Sequence, residues 1–232
     1  MSPSIKHRVR HVVVASGQAG AGSSTVAALL AFALAGPERK VLLLDGAGDG
    51  ALAELLRVPK GAAAWPVGGG VTLGDPRAEM SRAAWELTVT DAGWAWDAVA
   101  DACAEGADLL LAVAAPDRAA LAGCYAMMKA MAVAFPSVTV QAVLNRHRAG
   151  TRGGDDELRG AVQRFLGWRM GRPWLLPEDA CLGAGTRGGM PLADAAEGSD
   201  VAAAVDEIAT TILDGGRGAH AGRMPNDIHA RV

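Results

Sequence analysis

HVVVASGQAGAGSSTVAALLAFAL, residues 11–34, passes from a β-branched apolar run through a glycine-rich loop into an Ala/Leu helix pattern. Set against G-x-x-x-x-G-K-[ST], Gly17 and Gly22 match, Ser23 stands where lysine is required, and Ser24 stands where a hydroxyl would hold Mg²⁺. Gly17, Gly20 and Gly22 let successive backbone N–H groups converge on an anion, and the N-terminus of the following helix adds its partial positive charge. The loop therefore keeps a backbone cradle and lacks its fixed cation. The competing reading is a glycine-rich strand-to-helix turn that holds no ligand.

Outward from this stretch, short apolar runs alternate with Ala-rich helical patterns. Strands are expected at His11–Ala15, Val41–Asp45, Leu87–Asp91, Leu109–Val113 and Val138–Leu144, with a weaker one at Trp174–Leu176. Helices are expected at Ser24–Ala35, Leu52–Leu56, Trp96–Glu105, Arg118–Phe135, Asp156–Leu166 and Asp200–Leu213. The strand runs are nearly continuous in apolar character, as parallel strands covered on both faces require. The alternation predicts an α/β fold with a doubly wound, mostly parallel sheet flanked by helices. Ligands in such sheets bind beyond the carboxyl ends of the strands, which carry Ser16, Asp45, Asp91 and Asn145 here. Lys60–Pro76, rich in Gly, Ala and Pro, reads as a surface loop. Residues 1–10 read as an N-terminal arm, 11–214 as one domain, and the aperiodic stretch from Gly215 onward as a disordered tail.

Composition narrows the function classes. Half of the residues are hydrophobic but only 4% are aromatic, so the core must be built from Ala, Val and Leu. A net charge of −3 gives no reason to expect sequence-specific nucleic-acid binding or an anionic membrane surface. The basic run Lys6–His11 reads as a solvated arm. Cys103, Cys124 and Cys181 are widely spaced and odd in number, which reads as buried free thiols in a reducing cytoplasm. The first apolar run leads straight into a Gly/Ser loop, unlike a signal peptide, and no run reaches the ~20 residues that span a bilayer. The expected localisation is cytoplasmic.

Residues 11–34 resemble the deviant Walker A region of the MinD/ParA group, whose usual form is SGKGGVGKTT before a helix. VLLLDGAGDGALAELL (Val41–Leu56) is similar to that group's D-x-D…L-x-x-L-L stretch, and LTVTDAG (Leu87–Gly93) to its Walker B-like strand. VLNR (Val143–Arg146) resembles the strand whose Asn contacts adenine. GRPWLLPED (Gly171–Asp179) resembles the loop beyond it, and Gly188–Ala209 the group's final helix region. WPVGGGV (Trp65–Val71) is similar to the CpaE/TadZ-like branch, which includes septum-site-determining proteins.

The resemblance implies a positioning protein that dimerises with ATP and is reset by hydrolysis. It implies ATP or ADP with Mg²⁺ as cofactor, held at Gly17, Gln18, Gly20, Gly22, Ser23, Ser24, Thr25 and Asn145, with Ser24, Asp45 and Asp91 about the metal. It also implies protein partners and a homodimer. The departures bear on activity. The group's signature lysine, which reaches the partner subunit's nucleotide, corresponds to Gln18, and its Walker lysine to Ser23. The second carboxylate after Asp45 corresponds to Ala47, with Asp49 nearby. Losing one charge-assisted contact costs roughly 1.5–3 kcal/mol of binding. Losing one preorganised donor to the transition state costs on the order of 10²–10³ in rate. Hydrolysis is therefore expected to be weak or absent. Three readings stand: a regulatory protein with a degenerate site, an ATPase in which Arg118 or Arg146 replaces the lysines, and a nucleotide-free interaction module. Asp45 equally fits a turn or cap residue, Asp91 reads as metal support ahead of a cap, and Asn145 equally fits a cap on the loop beyond its strand. The Met127/Met128/Met131 cluster reads as core or subunit contact.

Overall fold

The computed structural model describes residues 9–59, 63–78, 84–148, 154–168 and 170–215. The first half of the chain runs β1 (His11–Ser16), α1 (Ser23–Leu34), β2 (Val41–Asp45), α2 (Ala51–Leu56), β3 (Ala64–Gly68), β4 (Val71–Gly74), β5 (Leu87–Gly93) and α3 (Trp96–Ala104). It continues through β6 (Leu109–Ala114), α4 (Arg118–Ala134), β7 (Thr139–His147), α5 (Gly154–Leu166), β8 (Trp174–Pro177), α6 (Ala180–Arg187), α7 (Leu192–Ala196) and α8 (Asp200–Leu213). The eight strands form one sheet in the order β3-β4-β2-β5-β1-β6-β7-β8. Every pairing is parallel except that of the edge strand β3 with β4. The doubly wound α/β expectation holds.

Alternation along β1 explains the two helical layers. Val12 and Val14 face a core closed by α1, α2, α7 and α8, whereas Val13 and Ala15 face one closed by α3, α4 and α5. In α8 the buried residues Val201, Val205, Ile208 and Ile212 recur at helical spacing and form one apolar stripe. Each such side chain contributes roughly 1.5–3 kcal/mol on burial. Caps mark the helix starts: Ser199 Oγ accepts from Ala202 N at 3.1 Å, Asp117 from Ala120 N at 2.9 Å, and Asp179 from Leu182 N at 2.8 Å. Met127, Met128 and Met131 are buried in the α4 core layer.

Three expectations are corrected. Lys60–Pro76 is not simply a loop: its residues 64–74 form the β3–β4 hairpin, with Trp65 opposite Leu73 and a turn of Gly68, Gly69 and Gly70, all at positive φ. Pro66 is tolerated there because β3 is an edge strand. Strand ends also shift: β5 continues two residues past Asp91 and β7 three past Leu144, so Asp91 and Asn145 lie within strands. Cys103 and Cys124 are buried as expected, but Cys181 is exposed on the first turn of α6. The arm and tail fall almost wholly in residues 1–8 and 216–232, outside the described residues.

Candidate functional site

β1 is the topological switch point, since the chain leaves it toward β2 on one side and later returns to add β6 on the other. The glycine-rich loop crosses the carboxyl end of β1 at this point. Gly20 has φ 77° and Gly22 φ 97°, left-handed backbone that L-residues avoid, and Gly22 is the N-cap of α1. No side chain caps α1, so its first-turn N–H groups face the groove without a side-chain acceptor. Ser16 Oγ donates to Gln18 O at 2.9 Å and shapes the loop's entry.

The loop is held from the opposite flank by β7. Asn145 Nδ2 donates to Ala21 O at 2.9 Å, and a Cβ on Gly22 would overlap that amide. Arg146, itself at φ 57°, places Nη2 2.6 Å from Gly20 O, while its N–H donates to Asn145 Oδ1 at 3.0 Å. Both polar ends of the Asn145 amide are thus engaged within the protein. Arg146 is committed to the loop's backbone, and Arg118, exposed at the start of α4, does not line the groove beside the loop.

On the other flank, Asp45 and Asp91 are register partners on β2 and β5. Asp45 Oδ1 accepts from Gly48 N at 2.9 Å. Its pKa is raised, chiefly by partial burial, with Asp49 and Asp75 adding repulsion. Asp91 is wholly buried; Oδ1 accepts from Gly93 N at 3.1 Å and no hydrogen bond is closed to Oδ2. Burial pushes its pKa up to about 6, against the pull of the neighbouring Ser24 hydroxyl and the Gly93 N–H, while Asp45 and Asp49 add to the rise. The structure thus gathers Ser24, Asp45 and Asp91 at one end of the sheet. Among the described residues no group of His, Cys, Asp and Glu forms a self-sufficient metal site. Mg²⁺ does not need one, because it is commonly held by one or two protein oxygens together with phosphates and water.

The loop opens on a groove of about 400 Å³. Gly20, Gly22, Ser23, Ser24 and Thr25 form one wall; Asp49, Glu54 and Arg57 from the α2 region, Trp94, and Thr186 with Arg187 from α6 form the rest. Arg57, Trp94 and Arg187 carry no motif and were not legible as site residues. They reach the groove through tertiary contacts, such as Arg57 Nη2 donating to Thr186 O at 2.7 Å across 129 positions of sequence.

By sequence, the chain matches no family model and no curated protein. Solved structures do resemble it. The septum-site-determining protein MinD of Pyrococcus horikoshii OT3, complexed with Mg-ADP, superposes with a TM-score of 0.67 at 20% identity, over 88% of this chain and 95% of that one. The Pyrococcus furiosus cell-division ATPase MinD gives 0.67 at 21%, over 88% and 98%. A ParA family ATPase of Chlorobium tepidum TLS gives 0.65 at 18%, over 88% and 98%. At these identities the likeness is one of architecture: this chain has the fold of these MinD and ParA proteins.

Proposed function

We propose that this chain is a nucleotide-responsive regulatory protein of the MinD/ParA/CpaE kind, with a degenerate phosphate site and weak or absent hydrolysis. It acts through protein partners in septum, pole, pilus or chromosome positioning. One observation carries the reading. The anion cradle is intact in geometry, with Gly20 and Gly22 left-handed and α1 uncapped, yet Gln18 and Ser23 occupy the lysine positions. The buried Asp91 carboxylate beside the Ser24 hydroxyl fits a bound cation, and the cradle fits phosphates. In this reading Gly17–Thr25 hold the nucleotide phosphates, and Ser24 with Asp91 and Asp45 support Mg²⁺, which supplies charge neutralisation at the phosphates. Asn145 orders the loop through Ala21 O.

Solved neighbours support the nucleotide class: one MinD is complexed with Mg-ADP and a McdA variant of the same fold with ATP. A MinC:MinD complex from Aquifex aeolicus supports protein partners. Among the described residues no helix is long and apolar enough to cross a membrane.

Calorimetric titration with ATP, with and without Mg²⁺, tests the reading. Micromolar affinity, about −8 kcal/mol, strengthened by Mg²⁺ and lost in Ser24→Ala, is the expected result. Phosphate release is expected at least about 10²-fold below that of a lysine-bearing P-loop enzyme. No heat up to millimolar ATP in a folded sample would replace this reading with that of an interaction module that uses the fold alone.

A further inference from the structure

We propose that Arg57 and Arg187 supply, from within the same chain, the positive charge that Gln18 and Ser23 do not, by contacting the phosphates of a nucleotide seated on the loop. The inference rests on the nucleotide-binding reading above. Arg57 and Arg187 are the cationic side chains among the residues that line the loop's groove. They come from unrelated elements. Arg57 is the C-cap of α2, in left-handed backbone at φ 56°, and Arg187 ends α6. The bond from Arg57 Nη2 to Thr186 O ties these two ends together, so both arginines line the groove that Ser23 and Ser24 also line.

Asp49 and Glu54 line the same groove, yet among the described residues neither arginine is ion-paired to a carboxylate. Arg57 spends one N–H on Thr186, leaving most of a five-donor fork for a ligand. Guanidinium forks match phosphate oxygens in a bidentate way that a serine hydroxyl cannot reproduce. Ser24, which lines the same groove, has the buried carboxylate of Asp91 beside it. A cation supplied in cis also has a consequence for assembly: phosphate affinity does not depend on a second copy of the chain.

The test is calorimetric titration of Mg-ATP into the full chain and into its R57Q, R187Q, R187K and R57Q/R187Q variants. Wild type is measured at two protein concentrations a decade apart. Each Gln variant should bind about tenfold more weakly and the double variant about a hundredfold. R187K should fall between wild type and R187Q, because lysine keeps the charge and loses the bidentate fork, and wild-type affinity should be the same at both concentrations. Wild type that binds no Mg-ATP sinks the nucleotide reading and this inference together. Wild type that binds, with a double variant that binds equally well, overturns the arginine assignment alone. Affinity that climbs with protein concentration also overturns it, by pointing to a cation from a second copy. Should R57Q unfold through loss of its Thr186 bond, R187Q decides the matter, because among the described residues no hydrogen bond or ion pair of Arg187 joins two elements.

Discussion

Gly17 in the glycine-rich loop and Gly123 in α4 meet backbone to backbone: a Cβ on Gly123 would lie 2.6 Å from the Gly17 carbonyl oxygen. A Cβ on Gly17 would overlap the Gly123 carbonyl group in turn. The loop can therefore lie flat on α4 only because both positions lack a side chain. Glycine to alanine inside a helix ordinarily stabilises by about 0.8–1 kcal/mol. Here Gly123→Ala should instead destabilise by about 1–3 kcal/mol or more, since the obstacle is rigid backbone. Urea unfolding reads the sign directly, and a midpoint above that of wild type would refute the close approach.

The contact between Gly22 and Asn145 makes a coupled pair. Gly22→Ala faces two penalties, a steric overlap with the Asn145 amide and a left-handed φ of 97°. Asn145→Ala alone removes the bond to Ala21 O, at a cost of about 1–3 kcal/mol for the buried carbonyl left behind. In the Asn145→Ala background, Gly22→Ala should cost only its backbone strain, about 1–2 kcal/mol. A double-mutant cycle should then show the two substitutions less harmful together than their sum. Strict additivity would mean that Asn145 does not pack on Gly22.

The elements that a single run of residues determines were legible in the sequence. The Val-rich β1, the loop glycines and the apolar stripe of α8 each carry their own periodicity, and parallel burial follows from it. Elements that owe their existence to neighbours were not. In β3 only Trp65 and Val67 carry strand character, on either side of Pro66 and ahead of three glycines, and the strand exists because β4 offers an edge. The same divide runs through the site. Gly20, Gly22, Ser24, Asp45 and Asp91 were legible because they lie on the loop or near strand ends. Arg57 and Arg187 were not, because a groove shared by α2 and α6 is a property of tertiary packing.

Thiol chemistry checks the layer assignments. Burial pushes the Cys103 thiol up to about 11 and the Cys124 thiol up to about 12, whereas Cys181 is exposed. Only the thiolate reacts with a disulfide reagent, so the two buried groups are suppressed by both access and ionisation. Titration with an aromatic disulfide at pH 8 should label one thiol per folded chain and all three in denaturant. Rapid labelling of a second thiol without denaturant would show that the α3 or α4 layer opens.

Under the proposed function, Asp91 sets stability against ligand binding. Its folded pKa, raised from 3.8 to about 6, exceeds that of the unfolded chain, so the folded state retains a proton that the unfolded state has released. The resulting stability is present below the unfolded pKa and is lost as pH rises through about 6, a swing on the order of 3 kcal/mol. Asp91→Asn keeps the oxygen that accepts from Gly93 N and removes the buried charge. It should be more stable than wild type at pH 8 by about 1–3 kcal/mol, with the two converging below pH 4. The same carboxylate, once ionised, is the one placed to support a cation beside Ser24, so Mg²⁺-dependent nucleotide affinity should climb with pH through about 6 and vanish in the Asn variant. Denaturant midpoints of both proteins between pH 4 and 8, with nucleotide titrations at the two ends, separate the effects. A variant that is less stable than wild type at pH 8, or a stability difference that ignores pH, would show that Asp91 is not held in the folded chain as an unmatched buried charge.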